Sequence, residues 1–289
     1  MPTSGTLGWL ALTLRDHAGL VAQASALAAG LVLLAVAVRT RPGPLEGVSP
    51  HVAQDGAHIA LRAAVLLPLT AWLLATLDDA VTRFVPGLRV DLLGALPTPA
   101  QFVAYVVLVD LVDYGVHRTF HVVPWLWKFH AIHHAQTWVN PLTTTRTHPV
   151  ELVLKRIVTW APLLVLGGPH QPWPVWIAID GFWGFFVHSG LPVSLGPLRY
   201  VVVSPTFHAI HHSAARQHRD VNLGERLSVW DTLFGTARHD AEGVVITGVD
   251  DATFPLETEA GLVAAARTWM MQFAYPFRQL WIGRRSRSS

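Results

Sequence analysis

Three short histidine clusters are the residues of this sequence best suited to chemistry. They read HRTFH at residues 117–121, HAIHH at residues 130–134 and HAIHH again at residues 208–212. On a helix, residues three and four positions apart share a face, so each cluster should direct two or three imidazoles toward one place. With 16 histidines in 289 residues, an HxxHH motif is expected about 0.05 times by chance, and this chain has two. Neutral imidazole binds iron, zinc, copper or nickel, and eight such ligands predict two metal ions rather than one.

The clusters lie in a chain that is too apolar for an ordinary soluble domain. Hydrophobic residues make up 51% of it and charged residues 14%, whereas soluble domains carry about 25% charged residues. Cysteine is absent, which excludes disulfides, thiolate zinc sites and an iron–sulfur cluster held by this chain. Residues 1–14 also lack the basic start and the cleavage site of a secretory signal. The composition therefore predicts an integral membrane protein.

The apolar segments predict an all-α membrane bundle of about four to five helices with a cytoplasmic helical cap that carries the histidines. Residues 18–38, residues 59–77 and a run that starts near residue 101 are each long enough to cross a bilayer. Residues 157–166 and 173–187 are shorter and should form a helical hairpin that spans the bilayer or dips into it.

Basic residues predict how this bundle is oriented. Those expected on the cytoplasmic side are Arg39, Arg41, Arg118, Lys128, Arg146, Lys155, Arg156 and the arginines within residues 284–287. By the positive-inside rule the N-terminus is then outside, and all three clusters lie at the cytoplasmic boundary of the membrane. We expect N-terminal membrane helices over residues 1–100, a catalytic domain over 101–240, and a cytoplasmic or membrane-surface segment over 241–289. In this last segment Pro276 should interrupt a helix that either packs on the membrane face or covers the catalytic region.

Two aspartates share a helix face with the first cluster. Asp110, Asp113 and His117 are spaced i, i+3 and i+7 inside an apolar segment, where a carboxylate is costly and usually functional. A metal-bound histidine commonly donates its second N–H group to a carboxylate, so one aspartate should orient His117. A buried polar link between helices is the alternative.

Single histidines and the tryptophans near the clusters need separate interpretation. His188 is predicted to be a further ligand, because the end of an apolar helix would otherwise avoid histidine. His148, next to Glu151, is predicted to hydrogen-bond near the metals. Histidines without partner spacing are expected on the surface, and these are His17, His51, His58, His170, His218 and His239. Trp125, Trp127, Trp138 and Trp160 are expected to form an interfacial aromatic belt.

The order of the motifs carries a resemblance to a known family. The motifs are Dx6HRxxH at residues 110–121, HxxHH at 130–134, RTHPxE at 146–151, HSG at 188–190, HxxHH at 208–212, NLG at 222–224 and LSVWDTLFGT at 227–236. This series resembles the fatty acid hydroxylase/sterol desaturase superfamily of membrane non-haem di-iron enzymes. The resemblance covers residues 110–236, nearly half of the chain. Within these motifs Glu151 and Asp231 are expected to hydrogen-bond near the metal ligands.

The resemblance implies a set of nine metal ligands. They are His117, His121, His130, His133, His134, His188, His208, His211 and His212. Fatty acid α-hydroxylases of this superfamily have another histidine four residues before the position of His188, where this chain has Gly184. The second metal should therefore have one fewer protein ligand, a water or a different partner. Replacing Gly184 with histidine is expected to cost less than losing a cluster histidine, unless the packing there is too tight.

The resemblance also implies the reaction and its partners. Two iron ions and O2 would remove hydrogen from an unactivated C–H bond, and the product would be a hydroxylated or desaturated lipid. A sterol, a fatty acyl chain or a related lipid would enter from the bilayer. The chain has no cysteine for a cluster and no convincing GxGxxG nucleotide motif, so electrons should come from a separate reductase with a ferredoxin or a cytochrome b5-like carrier. Nucleic acid is not expected as a partner.

Two other functions would also use clustered histidines. A membrane zinc hydrolase usually has three or four protein ligands and a nearby glutamate base, but the chain contains no HExxH motif. A histidine-rich metal transporter or storage protein is the second alternative. Transporters place their ligands near the middle of the membrane, whereas these clusters lie at the ends of the predicted spans. Imidazoles alone accept iron as well as zinc, so the sequence leaves the metal open.

Overall fold

The chain is all-helical wherever its structure is described, as the apolar segments predicted. The computed structural model describes residues 17–40, 48–167, 174–239, 245–259 and 261–285. The helices are α1 His17–Thr40, α2 Val48–Leu61, α3 Leu67–Phe84, α4 Thr98–Val122, α5 Pro124–His134, α6 Pro149–Leu166, α7 Pro174–Val187, α8 Pro205–His211, α9 Val229–Phe234 and α10 Leu262–Arg285. These ranges contain no β-strand, although Ser213 and Thr247 form an isolated bridge.

Three helices are long and apolar enough to cross a membrane, namely Val21–Thr40, Ala53–Phe84 and Thr98–Val122. The helix Val175–Val187 is apolar but shorter, and α6 does not reach this standard of length and composition. The number of spans beyond three and the orientation of the bundle therefore stay predictions. Arg41, residues 168–173 between the two hairpin segments, and residues 286–289 of the basic tail lie outside the described residues.

The second of these helices is longer than the sequence predicted. The helices α2 and α3 are joined without a break by a π-helical turn, Arg62–Leu66, in which the Leu67 N–H group donates to the Arg62 carbonyl. Pro68 follows directly, and a proline inside a helix has no N–H group and crowds the carbonyl four residues earlier. The wider π turn is one of the usual ways in which a helix accommodates such a disruption.

The helices α4 and α6 run antiparallel over most of their length. Thr159 of α6 donates to Asp113 of α4 at 2.7 Å, and four residues later Leu163 packs against Tyr105 and Val109. The carbonyl of Val165 accepts a hydrogen bond from the loop before α4, at Val90 N. The helix α6 therefore extends from the histidine clusters to the opposite end of α4, and α7 returns to the clusters at His188.

The C-terminal helix packs on α5, which carries the second cluster, and on α2. Lys128 Nζ lies 3.2 Å from Asp251 Oδ2 and 3.1 Å from Tyr275 Oη, which ties the two helices together. The predicted interruption at Pro276 is wrong, because α10 continues through it. The helix α10 therefore lies against the helix that carries the second cluster.

A buried ion network joins the N-terminal helices to the rest of the molecule. The Arg146 guanidinium is fully buried and pairs with Asp55 of α2 at 2.5 Å and with Glu257. Gln136 and Asn140 also donate to the Asp55 carboxylate, both at 3.1 Å. A buried charge is tolerated when it is paired and hydrogen-bonded, so this network fixes α2 against the segment that follows the second cluster.

Candidate metal centre

The structure brings all nine predicted ligands into two adjacent groups. The five-histidine group contains His117, His121, His130, His134 and His211. The four-histidine group contains His133, His188, His208 and His212. Within each group one ring nitrogen of every member lies within 4.8 Å of the others. The rings of His134 and His212 stack at 4.5 Å, so the two groups share a boundary.

Each HxxHH cluster is divided between the two groups. The first and last histidines are four residues apart and stay together, as His130 and His134 do in one group and His208 and His212 in the other. The middle histidine, His133 or His211, is rotated about 100° from its neighbour around the helix axis and joins the opposite group. Each HxxHH motif therefore links both groups, which refines the expectation that its imidazoles share one place.

Hydrogen bonds to Nδ1 fix most of these rings with Nε2 facing inward. The observed pairs are His117 with the Leu223 carbonyl at 2.8 Å, His130 with Glu151 at 2.6 Å, His133 with the Arg146 carbonyl at 3.2 Å, His188 with the Gly184 carbonyl at 2.7 Å and His211 with the Val221 carbonyl at 2.9 Å. A carbonyl can only accept, so the ring must donate from Nδ1 and keep a lone pair on Nε2. Metal-binding histidines usually have such a partner on the other nitrogen.

The inward nitrogens fit a bound cation. The Nε2 atoms of His133 and His188 lie 3.2 Å apart, and those of His117 and His130 lie 3.1 Å apart. Both nitrogens of each pair have lone pairs when Nδ1 donates, so neither can donate to the other. Among the nine histidines of the two groups, Nε2 is buried without a hydrogen-bond partner in His121, His134 and His211. Buried polar atoms rarely stay unsatisfied, and a metal ion would satisfy these.

The surroundings keep the imidazoles in the form that binds metal. Burial, followed by the charge of Lys155, lowers the pKa of His130 to about 3. Burial also lowers the pKa of His211 to about 3. The pKa of His212 falls well below its usual range because of burial and of the neighbouring imidazoles, beginning with His133. Neutral imidazole is the form of histidine that ligates a metal.

The prediction that Asp110 or Asp113 orients His117 is wrong. Neither carboxylate orients His117, because its Nδ1 meets the Leu223 carbonyl instead. Arg226 Nη1 pairs with Asp110 at 3.1 Å and with Asp113 at 2.8 Å, and Trp230 Nε1 donates to Asp110 at 2.9 Å. The alternative interpretation holds, since the two aspartates link α4 to the segment after the third cluster.

Asp231 acts on the ligands through a loop. Its carboxylate accepts from the backbone N–H groups of Leu223 and Gly224 at 2.7 and 2.8 Å. The same loop carries the Val221 and Leu223 carbonyls that hold His211 and His117. The NLG motif and the closing segment are therefore positioning elements of the five-histidine group.

Other predicted neighbours of the clusters divide into those that reach them and those that do not. Glu151 contacts His130 directly, as expected. His148 does not reach the two groups, because its Nδ1 accepts from Val150 N at the start of α6 and its Nε2 faces the Phe273 carbonyl. Trp127 is more than an interfacial residue, since its ring lies 5.1 Å from that of His121.

The structure corrects the expected exposure of two histidines and adds one contact that the sequence did not predict. His58 and His218 are buried rather than on the surface. Asp220 Oδ1 lies 3.5 Å from His121 Nδ1, a neighbour that the sequence analysis missed. Asp220 lies next to the first cluster only after the chain has folded back, so no local spacing could have identified it.

Gly184 is in close contact with the chain around it. A Cβ atom at this position would lie 2.6 Å from Thr144 Oγ1, which is closer than real Cβ contacts. The packing around Gly184 is therefore tight. This is the case in which Gly184→His is not expected to cost less than the loss of a cluster histidine. A side chain at this position would require Thr144, in the 3-10 turn Pro141–Thr145, to move.

A cavity of about 350 Å³ adjoins both histidine groups. His117, His130, His133, His188 and His208 line it. Apolar residues of α1, α2, α3 and α7 also line it, namely Ala26, Leu27, Ile59, Leu67, Ile177 and Phe185. Ligand pockets in proteins typically have volumes of about 300–1,000 Å³, so a small molecule or part of a larger one fits beside the candidate metal centre.

Comparison with known proteins places this centre in a family domain. The fatty acid hydroxylase family model matches residues 102–236, which contain all nine histidines. The chain is 31% identical to the ornithine lipid hydroxylase OlsE of Rhizobium tropici over 185 residues, or 63% of this chain and 51% of that protein. No solved structure matches the chain significantly.

Two further relatives share the same region. Human alkylglycerol monooxygenase (Homo sapiens) is 31% identical over 137 residues, which cover 47% of this chain and 30% of that protein. Methylsterol monooxygenase 1-3 of Arabidopsis thaliana is 27% identical over 155 residues, which cover 51% of this chain and 53% of that protein. The match thus spans about half or less of the length of these relatives. The family match over residues 102–236 and these relatives bear out the resemblance inferred from the histidine clusters.

Proposed function

We propose that this protein is a membrane-bound, O2-dependent di-iron oxidoreductase that hydroxylates or desaturates a C–H bond of a lipid. One observation carries the proposal: in two adjacent groups of buried imidazoles, the Nε2 atoms face one another or have no hydrogen-bond partner. The relatives named above are hydroxylases and monooxygenases of lipids. A sterol, a fatty acyl chain or a related lipid is therefore the proposed substrate.

Two iron ions fit the donor set. The five-histidine group would hold one ion and the four-histidine group the other. Bound iron would supply the activation of O2 that an unactivated C–H bond requires. An all-imidazole site adds no negative charge of its own and leaves positions open for O2. Electrons would come from a separate reductase, through a ferredoxin or a cytochrome b5-like carrier.

The residues of this chain would orient the imidazole rings, shield their ligand atoms from water and place the lipid chain. Carbonyl and carboxylate acceptors hold the imidazole rings in one tautomer, so the ligand atoms do not have to reorganise during turnover. Burial keeps water away from the ligand atoms, since His212 is fully buried and His130 and His134 nearly so. The apolar residues of α1 and α7 that line the cavity would place the lipid chain beside the metals.

The zinc hydrolase alternative would require a different role for the carboxylate that lies nearest the histidines. A hydrolase needs a carboxylate base next to an open metal position. The Glu151 carboxylate lies against His130 Nδ1, on the side of the ring that faces away from the group. This contact favours a role in orienting the ligand over a role as general base.

The function is tested by metal content together with O2 consumption. The protein is purified in mild detergent from iron-supplemented cells, and metal per chain is measured alongside reductant-driven O2 uptake with and without a membrane lipid extract. We expect about two irons per chain and O2 uptake stimulated by lipid. His211→Ala and His133→Ala, one from each group, should each abolish turnover while the protein still inserts into the membrane.

Two results would refute this proposal. Full activity in either histidine variant would exclude the site assigned here. A single tightly held zinc ion, with no O2 uptake even after iron reconstitution, would favour the hydrolase or the metal-handling protein.

A further inference from the structure

Two arginines on the wall of the cavity have no direct ion-pair partner among the described residues. Arg62 begins the π turn and Arg156 lies on α6, and both side chains line the same cavity. The described part of the chain gives neither of them an ion pair or a hydrogen bond. Both residues are half-buried, so they are not simply solvated surface cations.

The acidic residues on that wall are already engaged. Asp180 Oδ1 accepts from Arg226 Nε at 2.6 Å, and Asp113 pairs with the same guanidinium. Glu225 pairs with Lys155. Glu151 faces His130. Arg62 and Arg156 are the basic residues of the cavity wall that take part in none of these contacts.

The charge of Arg62 costs free energy at its position. It lies inside Ala53–Phe84, one of the three helices able to cross a membrane, with Ile59 and Ala63 beside it on the cavity wall. Arginine without a partner at membrane depth is rare and usually serves a function. A second arginine on the helix that packs against the π turn adds like-charge repulsion. An anion between the two guanidinium groups would remove both costs.

The backbone at Arg62 adds a second observation. Single π turns inside α-helices occur frequently at functional sites. Here the turn spans Arg62–Leu66 and allows Pro68 inside a long apolar helix. The widened turn begins with the one basic residue that this helix places on the cavity wall.

We propose that Arg62 and Arg156 form a subsite for the anionic head of an amphiphilic substrate, either a carboxylate or a phosphate. The subsite rests on the proposed function, because the apolar chain of the same molecule would then lie beside the histidine groups. Guanidinium groups bind both anions through paired, charge-assisted hydrogen bonds. The subsite sets the distance between the head of the lipid and the carbon that reacts, and so makes Arg62 and Arg156 specificity-determining residues.

Direct binding tests the subsite. Radiolabelled hexadecyl phosphate, palmitate and the neutral hexadecylglycerol are bound to the metal-loaded protein in dodecyl maltoside. The wild-type protein should bind hexadecyl phosphate or palmitate about tenfold or more tightly than hexadecylglycerol. Whichever of the two anions binds more tightly identifies the head group as phosphate or carboxylate.

Variants assign the preference to the two arginines. Arg62→Gln and Arg156→Gln should each lower the preference for the anion by about tenfold and leave the affinity for hexadecylglycerol unchanged. Arg62→Lys should retain part of it, because the charge stays and the guanidinium fork is lost. Arg83→Gln is the matched control: it lies on the same long helix, is exposed and pairs with Asp79, and it should bind like the wild-type protein.

The subsite is excluded if the wild-type protein shows no preference for an anion, or if the preference survives in both glutamine variants. Each glutamine variant is informative alone should the other fail to fold. Binding requires no turnover, so the two proposals can fail separately. An anion preference without O2 uptake would refute the oxygenase and leave the subsite, and lipid-stimulated O2 uptake without a preference would refute the subsite alone.

Discussion

At the scale of single residues, how strongly each histidine would bind a metal depends on the group that its Nδ1 atom contacts. His130 faces the buried Glu151 carboxylate, whereas His117 and His211 face backbone carbonyls. A carboxylate makes an imidazole a stronger donor to the metal than a carbonyl does. Glu151 is therefore the side chain outside the nine histidines whose loss should weaken metal binding most directly.

Glu151→Gln should lower the affinity for iron by about 10- to 100-fold, the usual effect of losing such a partner. Iron retained per chain is measured after dialysis against a chelator at fixed free iron. His148→Asn is the control, because it preserves a cap on α6 at a residue that does not touch the two groups. Equal iron loss in both variants would show that only the start of α6 matters.

Gly184 illustrates a constraint of packing rather than of ligation. Its missing Cβ leaves room for Thr144 Oγ1, so Gly184→Ala should destabilise the protein by about 1–3 kcal/mol through overpacking. Adding Thr144→Ala should restore most of this loss. Thermal unfolding in detergent gives the comparison, with Gly115→Ala as control, since a Cβ there meets nothing within 4 Å. No recovery in the double variant would exclude Thr144 as the cause.

At the scale of elements, the loop between α8 and α9 acts as a template for two ligands. Asp220 and Asn222 have positive φ angles of 56° and 55°, a conformation that costs energy in residues other than glycine. The Asn222 side chain compensates by donating to the Phe207 and Arg238 carbonyls at 2.8 and 2.7 Å. The loop therefore holds its carbonyls toward His117 and His211 at the expense of backbone strain.

Gly224→Ala should distort this loop and lower the iron content of the five-histidine group. An added Cβ would lie 2.6 Å from the Leu227 carbonyl oxygen and 2.7 Å from Asp231 Oδ2, and the backbone atom cannot move away easily. Metal analysis should show less iron per chain, and unfolding should occur at a lower temperature. Gly196→Asn should change neither, because it lies outside the loop, a Cβ there meets nothing within 4 Å, and asparagine adopts positive φ more readily than other residues with a side chain. Normal iron content in Gly224→Ala would argue against the template.

Comparing the sequence-based predictions with the structure shows what local sequence spacing can predict. The histidines of α4, α5 and α8 were identified because helical periodicity links residues three and four positions apart. The contact of Asp110 with Arg226 crosses 116 positions, and no periodicity reports it. The continuity of α2 and α3 was missed for a related reason, because the run of apolar residues does not show where a π turn lets a helix continue past Pro68.

At the scale of the whole molecule, the fold separates a polar end from an apolar end. The histidine groups lie at the C-terminal end of α4, and a core of Leu93, Tyr105, Leu163 and Trp176 lies toward its other end. Exposed apolar side chains, such as Val32, Val65, Val103 and Val158, cover the helices between these ends. Exposed apolar surface of this extent marks contact with a membrane or a partner. A bilayer around these helices would leave the candidate metal centre at one of its faces.

Which face this is can be tested because the chain contains no cysteine. Leu88, in the loop between α3 and α4, is 45% exposed, and Gln217 is exposed next to the third cluster. The positive-inside rule predicts Leu88 outside and Gln217 in the cytoplasm. In intact cells a membrane-impermeant maleimide should label Leu88→Cys, and it should label Gln217→Cys only after lysis. The wild-type chain, without cysteine, gives the background.

The opposite pattern would place the histidine groups on the outer face, where a cytoplasmic reductase could not reach them. Labelling of both variants in intact cells would mean that α4 does not cross the membrane.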